Sequence, residues 1–476
     1  PATGLADWAA DAAGLRGVFA WGAILESLAR ESAGPVAGRR GSSDRADRID
    51  PLLISSSMLP DYTVVQPDGS RGCSLREAVI VSTARTGLAK SVKGSFNQTH
   101  PIVLGGHALA AALQRAGVPA DELDDVILGS GMPEGATGFN IARNVAIKAG
   151  CPVGTSGVTV NRYCASGLQA IAFAAGRIVN EGETVVAAGG VESISMVQMS
   201  GHMNLHQATE AGLLASKPAL WMSMLETAEI VAERYDISRE RQDGYALQSQ
   251  QRTAAAQAAG RFDAEIVPLA VRRAQVDPAT RETVLVDHVV TRDECNRPET
   301  TLESLAALSP VFRDGMTMKT GRTVTAGNAS QQSDGASVAV LMERTAAERR
   351  GLAPLGALRG FVVAGCEPDE MGIGPVIAVP KLLKRHGLGI DDIGLWELNE
   401  AFASQCLHCR DALGIDPEVF NVDGGAIAVG HPYGMTGARC VGHALLEGRR
   451  RRIKYAVVTL CVGAGMGAAA LLEVYP

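Results

Sequence analysis

The chain has 476 residues, 44 Lys and Arg against 51 Asp and Glu, a net charge of −7, and 54 glycines with only 4% aromatics. The acidic balance and the absence of a long basic cluster speak against nucleic acid as a partner, and no apolar run approaches the roughly 20 residues of a membrane span. Nine cysteines, an odd number without regular spacing, fit a reducing compartment better than a disulfide framework, and the length favours two or three domains over one.

Residues 1 to about 75 differ from the rest. A weak helical pattern (Leu5, Trp8, Ala9, Ala12, Leu15) is followed by a Gly-, Ser- and Arg-rich linker from Gly34 to Asp50 and a turn-like stretch from Pro60 to Gly72. Asp7, Asp11, Glu26 and Glu31 disfavour a transit peptide, and no secretory apolar region is present. No function is assigned to this segment.

Regular structure begins at Glu77. The spacing predicts a strand over 78–86, a helix over 105–116, a short helix opened by Asp121, a strand over 124–131 and a helix over 140–150. A further helix follows Cys164, with Leu168, Ile171, Ala172, Ala175, Ile178 and Val179 at spacings of three and four. A buried strand over 183–193 ends in glycines. This β-α-β-α-β order implies a largely parallel sheet with covered faces. Cys164 stands at the mouth of its helix, where unpaired N–H groups and the positive helix end stabilise a thiolate and an oxyanion alike. The small residues Ala165, Ser166 and Gly167 leave room for a substrate at the sulfur.

From about Met196 to Ala307 the pattern loosens into an inserted loop domain with one long helix, capped at Ser238 and running to about Ala259. The α/β grammar then resumes: a glycine-rich turn and apolar segment over 323–342, a helix over 375–386, and units over 393–407, 419–446 and 455–474. The halves repeat at an offset of about 260 to 270 residues, Val160-Asn161 answering Asn421-Val422 and VVAAGG answering VVTLCVG. Cys406, His408 and Cys409 lack a second pair at zinc spacing and read as helix packing. The run Arg449 to Arg452 reads as a solvated helix end. Gly463, Gly465 and Gly467 lead into a strand and not a helix, so they are no dinucleotide fingerprint.

Six motifs occur together in order: NRYCASGLQA around Cys164, GGVES (189–193), TAGNAS (325–330), NEAFA (399–403), GGAIAVGHPYGMTGAR (424–439) and CVGAGMG (461–467). Together they resemble the thiolase family, over residues 76 to 476. The resemblance implies an α/β fold of duplicated βαβαβ halves in a layered α/β/α/β/α core with an inserted loop domain. It divides the chain into an extension (1–75), an N-terminal half (76–193 plus 333–353), a loop domain (194–332) and a C-terminal half (354–476).

The implied activity is reversible, CoA-dependent thiolytic cleavage of a 3-oxoacyl-CoA through a Cys-linked acyl-enzyme. Coenzyme A is a co-substrate, with no permanently bound cofactor and no metal. Cys164 matches the acylated nucleophile, His431 the base that takes its proton, and Cys461 the thiol that protonates the acetyl-CoA enolate. The N–H groups of Cys164 and Gly463 form one oxyanion hole; Asn399, through a water, and His431 form the other. Glu400 orients the site. Ser330 matches a pantetheine contact, Arg297 and Ser304 positions near the adenine and phosphates, and Met224 a pocket-lining residue.

Departures from the family pattern fall at Gly87 (in place of Pro), Ser223, Leu225-Glu226 and Ile230 (in place of Asn); the last three sites shape the acyl pocket. The motif around Cys164 is nearer the degradative pattern, with a biosynthetic acetoacetyl-CoA thiolase as the alternative. A decarboxylating ketoacyl synthase and a catalytically silent CoA- or lipid-binding relative are further alternatives. The resemblance also implies a homodimer or homotetramer. The expected location is the cytoplasm of a bacterium, with an organellar matrix as the alternative.

Overall fold

The computed structural model describes residues 76–201 and 203–476; the 1–75 extension lies outside the described residues. The N-terminal half starts with β1 (Ala78–Arg85), the two-residue β2 (Ala89–Lys90) and α1 (Pro101–Ala116). Helix α1 carries Pro101 in its first turn and ends at Gly117, whose φ of 61° is the left-handed conformation a helix terminus wants. Then come β3 (Asp125–Gly129), α2 (Ile141–Lys148) capped by the Asn140 side chain, β4 (Ser156–Val160), α3 (Ser166–Gly176) and β5 (Val185–Glu192).

The inserted segment contributes α4 (Met224–Arg234), α5 (Arg239–Ala258) and a hairpin of β6 (Leu269–Val276) and β7 (Thr283–Val290). The hairpin was not legible in sequence, because Arg, Asp and Gln interrupt its alternation. The chain returns through β8 (Ser333–Glu343). The C-terminal half is β9 (Gly356–Gly365), α6 (Gly374–His386), β10 (Leu395–Leu398), α7 (Ala403–Leu413), α8 (Tyr433–Arg451), β11 (Tyr455–Val462) and β12 (Met466–Val474).

The main sheet runs β10-β11-β12-β9-β1-β8-β5-β3-β4, with β2 on β8. Its two halves have one pattern. In the first, β5 pairs β3 in parallel and β8 antiparallel, and β8 pairs β1 antiparallel; in the second, β11 does the same with β10 and β12, and β12 with β9. The parallel β3–β4 pair is matched by a parallel bridge between Trp396 and Phe420.

The sheet is thus mixed, which corrects the expectation of a largely parallel one. β11 and β12 are joined by a tight turn with Ala464 (φ 64°) and Gly465 (φ 82°), which only an antiparallel pair can use. β8 and β12 mimic parallel strands in sequence because both of their faces are covered and they are almost wholly buried.

Alternate residues of the strands serve different layers. Val79 and Ala84 of β1 join the core under α1 and α2, whereas Ala78 and Ile80 join the core that contains α3 and α8. A third core packs α6 and α7 on the outer face of β10, β11 and β12. Helices α3 and α8 therefore form the middle layer between the two halves.

Candidate active site

The mouths of α3 and α8 meet because glycines let the backbones approach. A Cβ on Gly167 would stand 2.7 Å from the carbonyl of Gly434, and one on Gly437 would stand 2.6 Å from the amide of Leu168. Gly190 of β5 is tighter still, at 2.0 Å from the Gly434 carbonyl; any side chain there forces α8 off the strand. Ala165, Ser166 and Gly167 are buried, so their small size serves the packing of α3 against its neighbours.

Cys164 lies in a 3-10 turn, Tyr163–Ala165, just ahead of α3. Tyr163 has φ 43°, a conformation that bulky residues avoid. It is held there by the Asn161 side chain, which accepts from the Tyr163 amide at 2.7 Å, and by Ser166 Oγ, which donates to its carbonyl at 2.6 Å. The turn leaves Cys164 half-buried, with its own N–H and that of Gly463 directed at the thiol. Even so, burial pushes the thiol up to about 12, and the nearby Glu192 carboxylate works in the same direction. The resting group is a thiol, not the thiolate that the helix mouth alone suggests; desolvation outweighs the two N–H donors.

His431 supplies what a thiol needs. Burial, reinforced by Arg439, lowers its pKa to about 3, so the imidazole is neutral at physiological pH. Its Nδ1 lies 2.8 Å from Thr436 Oγ1, and Thr436 Oγ1 in turn donates to the Pro432 carbonyl at 2.8 Å. The hydroxyl has one hydrogen, already spent on that carbonyl, so Nδ1 must be the donor and Nε2 carries the free lone pair. Asn399 Nδ2 stands 3.3 Å from Nε2. The backbone N–H of His431 donates to Gln331 at 2.8 Å, and that of the half-buried Ser330 to Ala401 at 3.0 Å. The TAGNAS segment therefore lies between the Asn399 and His431 loops.

Cys461 is fully buried on β11, opposite Gly467 of β12. Burial raises its pKa well above the usual thiol value, with the neighbouring Cys164 adding to the shift. Gly463 follows at the strand end; a Cβ there would lie 3.6 Å from the Tyr163 ring and 3.9 Å from the sulfur of Met224. Met224 thus stands beside the Cys164 turn.

Three supporting residues were missed or only half read. Thr436 sits five residues after His431, within a motif whose histidine drew the attention. Glu192, in GGVES, accepts from the amides of Gly131 at 2.6 Å and Gly434 at 2.7 Å, so it ties the β3 loop to the mouth of α8; burial raises its pKa to about 7. Glu400 accepts from Tyr245, Ser249 and the Ile427 amide at 2.7–3.0 Å, clamping the loop before His431 onto α5.

The families matched decide what this arrangement is. Residues 78–345 match the Thiolase, N-terminal domain, and residues 352–474 the Thiolase, C-terminal domain. The chain belongs to the thiolase family. It is 46% identical over 400 residues to the 3-ketoacyl-CoA thiolase of Bacillus subtilis (strain 168), covering 84% of this chain and 100% of that protein. It is 42% identical over 438 residues to the peroxisomal 3-ketoacyl-CoA thiolase 2 of Arabidopsis thaliana, covering 91% of each. The crystal structure of human mitochondrial 3-ketoacyl-CoA thiolase is similar at a TM-score of 0.74 and 37% identity, covering 84% of this chain and 100% of that one.

Not every residue carried over from the thiolase pattern joins the cluster around Cys164. The Ser304 hydroxyl is engaged in a capping box, accepting from the Thr301 amide at 3.0 Å and donating to its carbonyl at 2.8 Å. The Arg297 amide donates to Gln250 at 2.9 Å, which fixes its backbone against α5. The departures have local reasons. A Cβ on Gly87 would meet the Arg292 carbonyl at 2.5 Å, and Ser223 caps α4 by accepting from the Glu226 amide at 3.1 Å. Cys406 and Cys409 are buried in packing, and His408 stacks on Tyr235 with ring centroids 3.7 Å apart. Among the described residues no His, Cys, Asp and Glu side chains gather in a metal-binding arrangement, and no helix is long and apolar enough to cross a membrane.

Proposed function

We propose that the chain is a CoA-dependent acyltransferase that cleaves 3-oxoacyl-CoA thiolytically, in the degradative sense, through an acyl-enzyme on Cys164. The observation that carries the reading is geometric: two backbone N–H groups meet the Cys164 thiol, and Asn399 stands 3.3 Å from Nε2 of the buried His431. His431 Nε2 takes the Cys164 proton, and the sulfur attacks the C3 carbonyl. The oxygen that gains charge is met by the N–H groups of Cys164 and Gly463. The C2–C3 bond breaks, its electron pair passing to an acetyl-CoA enolate whose oxygen faces Asn399, through a water, and His431. Cys461 gives that carbon a proton. The Cys461 thiolate then takes the proton of free CoA, the CoA sulfur displaces the shortened acyl group from Cys164, and Cys164 recovers its proton from His431. Ser330, Arg297, Ser304 and Met224 are the candidate contacts for CoA and the acyl chain.

The named relatives support thiolysis over a decarboxylating synthase or a silent binding relative. One relative is bacterial and others are peroxisomal, which leaves the cytoplasm and an organellar matrix as the two locations to compare. The outer strand β4 leaves one edge unpaired and is flanked by Phe139, 98% exposed; we place a homodimer contact there, since such an edge otherwise invites non-specific pairing. The domain division proposed above has its support in β8, which returns from the loop domain to lie between β1 and β5.

The test is acyl-enzyme trapping. A 3-oxoacyl-CoA supplied without acceptor CoA should acylate the peptide that holds Cys164. Cys461→Ala should leave acylation of Cys164 by a saturated acyl-CoA, which breaks no C–C bond, measurable while abolishing turnover of the 3-oxoacyl-CoA. Label on another peptide, or equal loss of both steps, overturns the assignment.

A further inference from the structure

Glu226 and Glu229 are one turn apart on α4 and almost completely buried, at 1% and 2% exposure. Glu226 accepts from the amides of Met316 (2.9 Å), Thr317 (2.6 Å) and Met318 (3.0 Å) and from the Thr317 hydroxyl (2.8 Å). Glu229 accepts from the amides of Arg322, Thr323 and Val324 and from the Thr323 hydroxyl, at 2.8–3.1 Å. Two carboxylates on one helix face thus grip one strap, residues 311–324, by its backbone.

The strap is a narrow hairpin. Val311 donates to Val324, Gly321 to Phe312, and Gly315 to Met318 at 2.9–3.0 Å. Gly315 and Gly321 stand where any Cβ would strike Glu226 and Glu229, at 2.5 Å in both cases. The strap's Arg313, Asp314, Lys319 and Thr320 face solvent. Its Phe312, Met318 and Val324 pack on an apolar cluster that includes Cys461, Leu225, Met371 and Phe402, and Met224 packs there too.

We propose that Glu226 is a positioning residue that sets acyl-chain length. Its carboxylate fixes the Gly315–Met318 turn, so that Met318 closes the apolar wall on the Cys461 side of the site against long 3-oxoacyl chains. The inference rests on the thiolase reading above. It goes beyond that reading in assigning chain-length selection to a side chain that touches no substrate. The physical argument is one of acceptors. A carboxylate offers two oxygens to four donors, whereas an amide offers one oxygen and sets an NH₂ against N–H groups, so Gln cannot hold the turn.

The experiment is kcat/KM for thiolysis across a chain-length series of 3-oxoacyl-CoA substrates, from four carbons to sixteen, for the wild type, Glu226→Gln and Met318→Ala. Each variant should raise the long-chain to four-carbon ratio by about tenfold or more, the scale on which an apolar pocket discriminates a methylene or two. The double variant should gain no more than the larger single one, because both remove the same wall. An equal loss at every length, or an unchanged ratio, overturns the proposal. Should Glu226→Gln not fold, an unchanged ratio in Met318→Ala overturns it alone. A wild type that cleaves no 3-oxoacyl-CoA of any length would instead defeat the thiolase reading.

Discussion

The two halves share a strand order, a helix order and a pattern of pairing, yet they do different work at equivalent loops. The pairing of Asp125 with Val186 recurs as that of Leu395 with Ala456. The same register sets Gly129 against Asn399, and Val191 against Cys461. Where the second half has Asn399 and Cys461, which face the proposed reaction, the first has Gly129 and Val191, and the next residue, Glu192, holds the backbone of Gly131 and Gly434. In the proposed reaction the first half contributes one reactive side chain, Cys164, on a strained turn, and the second contributes His431, Cys461, Asn399 and the Gly463 N–H. On that reading a duplicated scaffold supplies two helix mouths, and divergence at its loops separates nucleophile from acid–base groups.

The largest effect should come from the only reactive side chain of the first half. Cys164→Ser should lower kcat by on the order of 10⁴-fold or more while CoA still binds by calorimetry. His431 cannot deprotonate a hydroxyl as it does a thiol. Retained turnover would move the nucleophile elsewhere.

In the second half, Asn399→Ala should cost on the order of 10²–10³ in kcat, the scale of one oxyanion-hole donor, and leave Cys164 as reactive to iodoacetamide as before. Asn399→Asp should be worse, because it sets a carboxylate where an enolate oxygen gains charge. If Asp outperforms Ala, position 399 acts as a base and the division between the halves is drawn wrongly.

Thr436→Val should cost about tenfold in the rate of acylation, given the ~1–3 kcal/mol attached to an unpartnered buried N–H, and Thr436→Ser should restore it. Recovery in the Ser variant separates this from simple packing. With burial holding the His431 pKa near 3, wild-type acylation should show no imidazole limb near pH 6.5. A limb near 6.5 in the wild type would place His431 outside the buried site.

The smallest effect concerns the ion cluster that joins both halves to the loop domain. His443 lies 2.6 Å from Glu265, and Arg85 joins Glu265 at 2.8 Å and Asp293 at 2.7 Å. Burial alone would lower the His443 pKa, but Glu265 and Glu397 raise it to about 9. Its contribution to stability is therefore complete below its unfolded value near 6.5 and is lost as pH rises through 9. Glu265, where burial is outweighed by His443 and Arg85, titrates near 2, and its contribution is lost only in acid. Tm should fall by a few degrees between pH 6.5 and 9.5, and His443→Gln should flatten that slope. An equal slope in both proteins would remove His443 from the account.

Much of this molecule was legible in the chain. The periodicity of Leu168, Ile171 and Ala175, the cap at Ser238 and the glycine-terminated strands are local signals, and they fell where the helices and strands lie. Six motifs in order identified the family, because chemistry constrains side-chain type at fixed short spacings. What the sequence could not decide depends on contacts between distant positions. Strand direction in β8 and β12 was hidden because full burial erases alternation. The ionisation of Cys164 was misread because a helix mouth is visible in sequence and desolvation is not. The His431 tautomer needed the geometry of one hydroxyl, and the strap needed two carboxylates about 90 positions away from the amides they hold. Local pattern determined which groups this protein carries; only the tertiary structure, by fixing how deeply each is buried and what faces it, decided the state in which they stand.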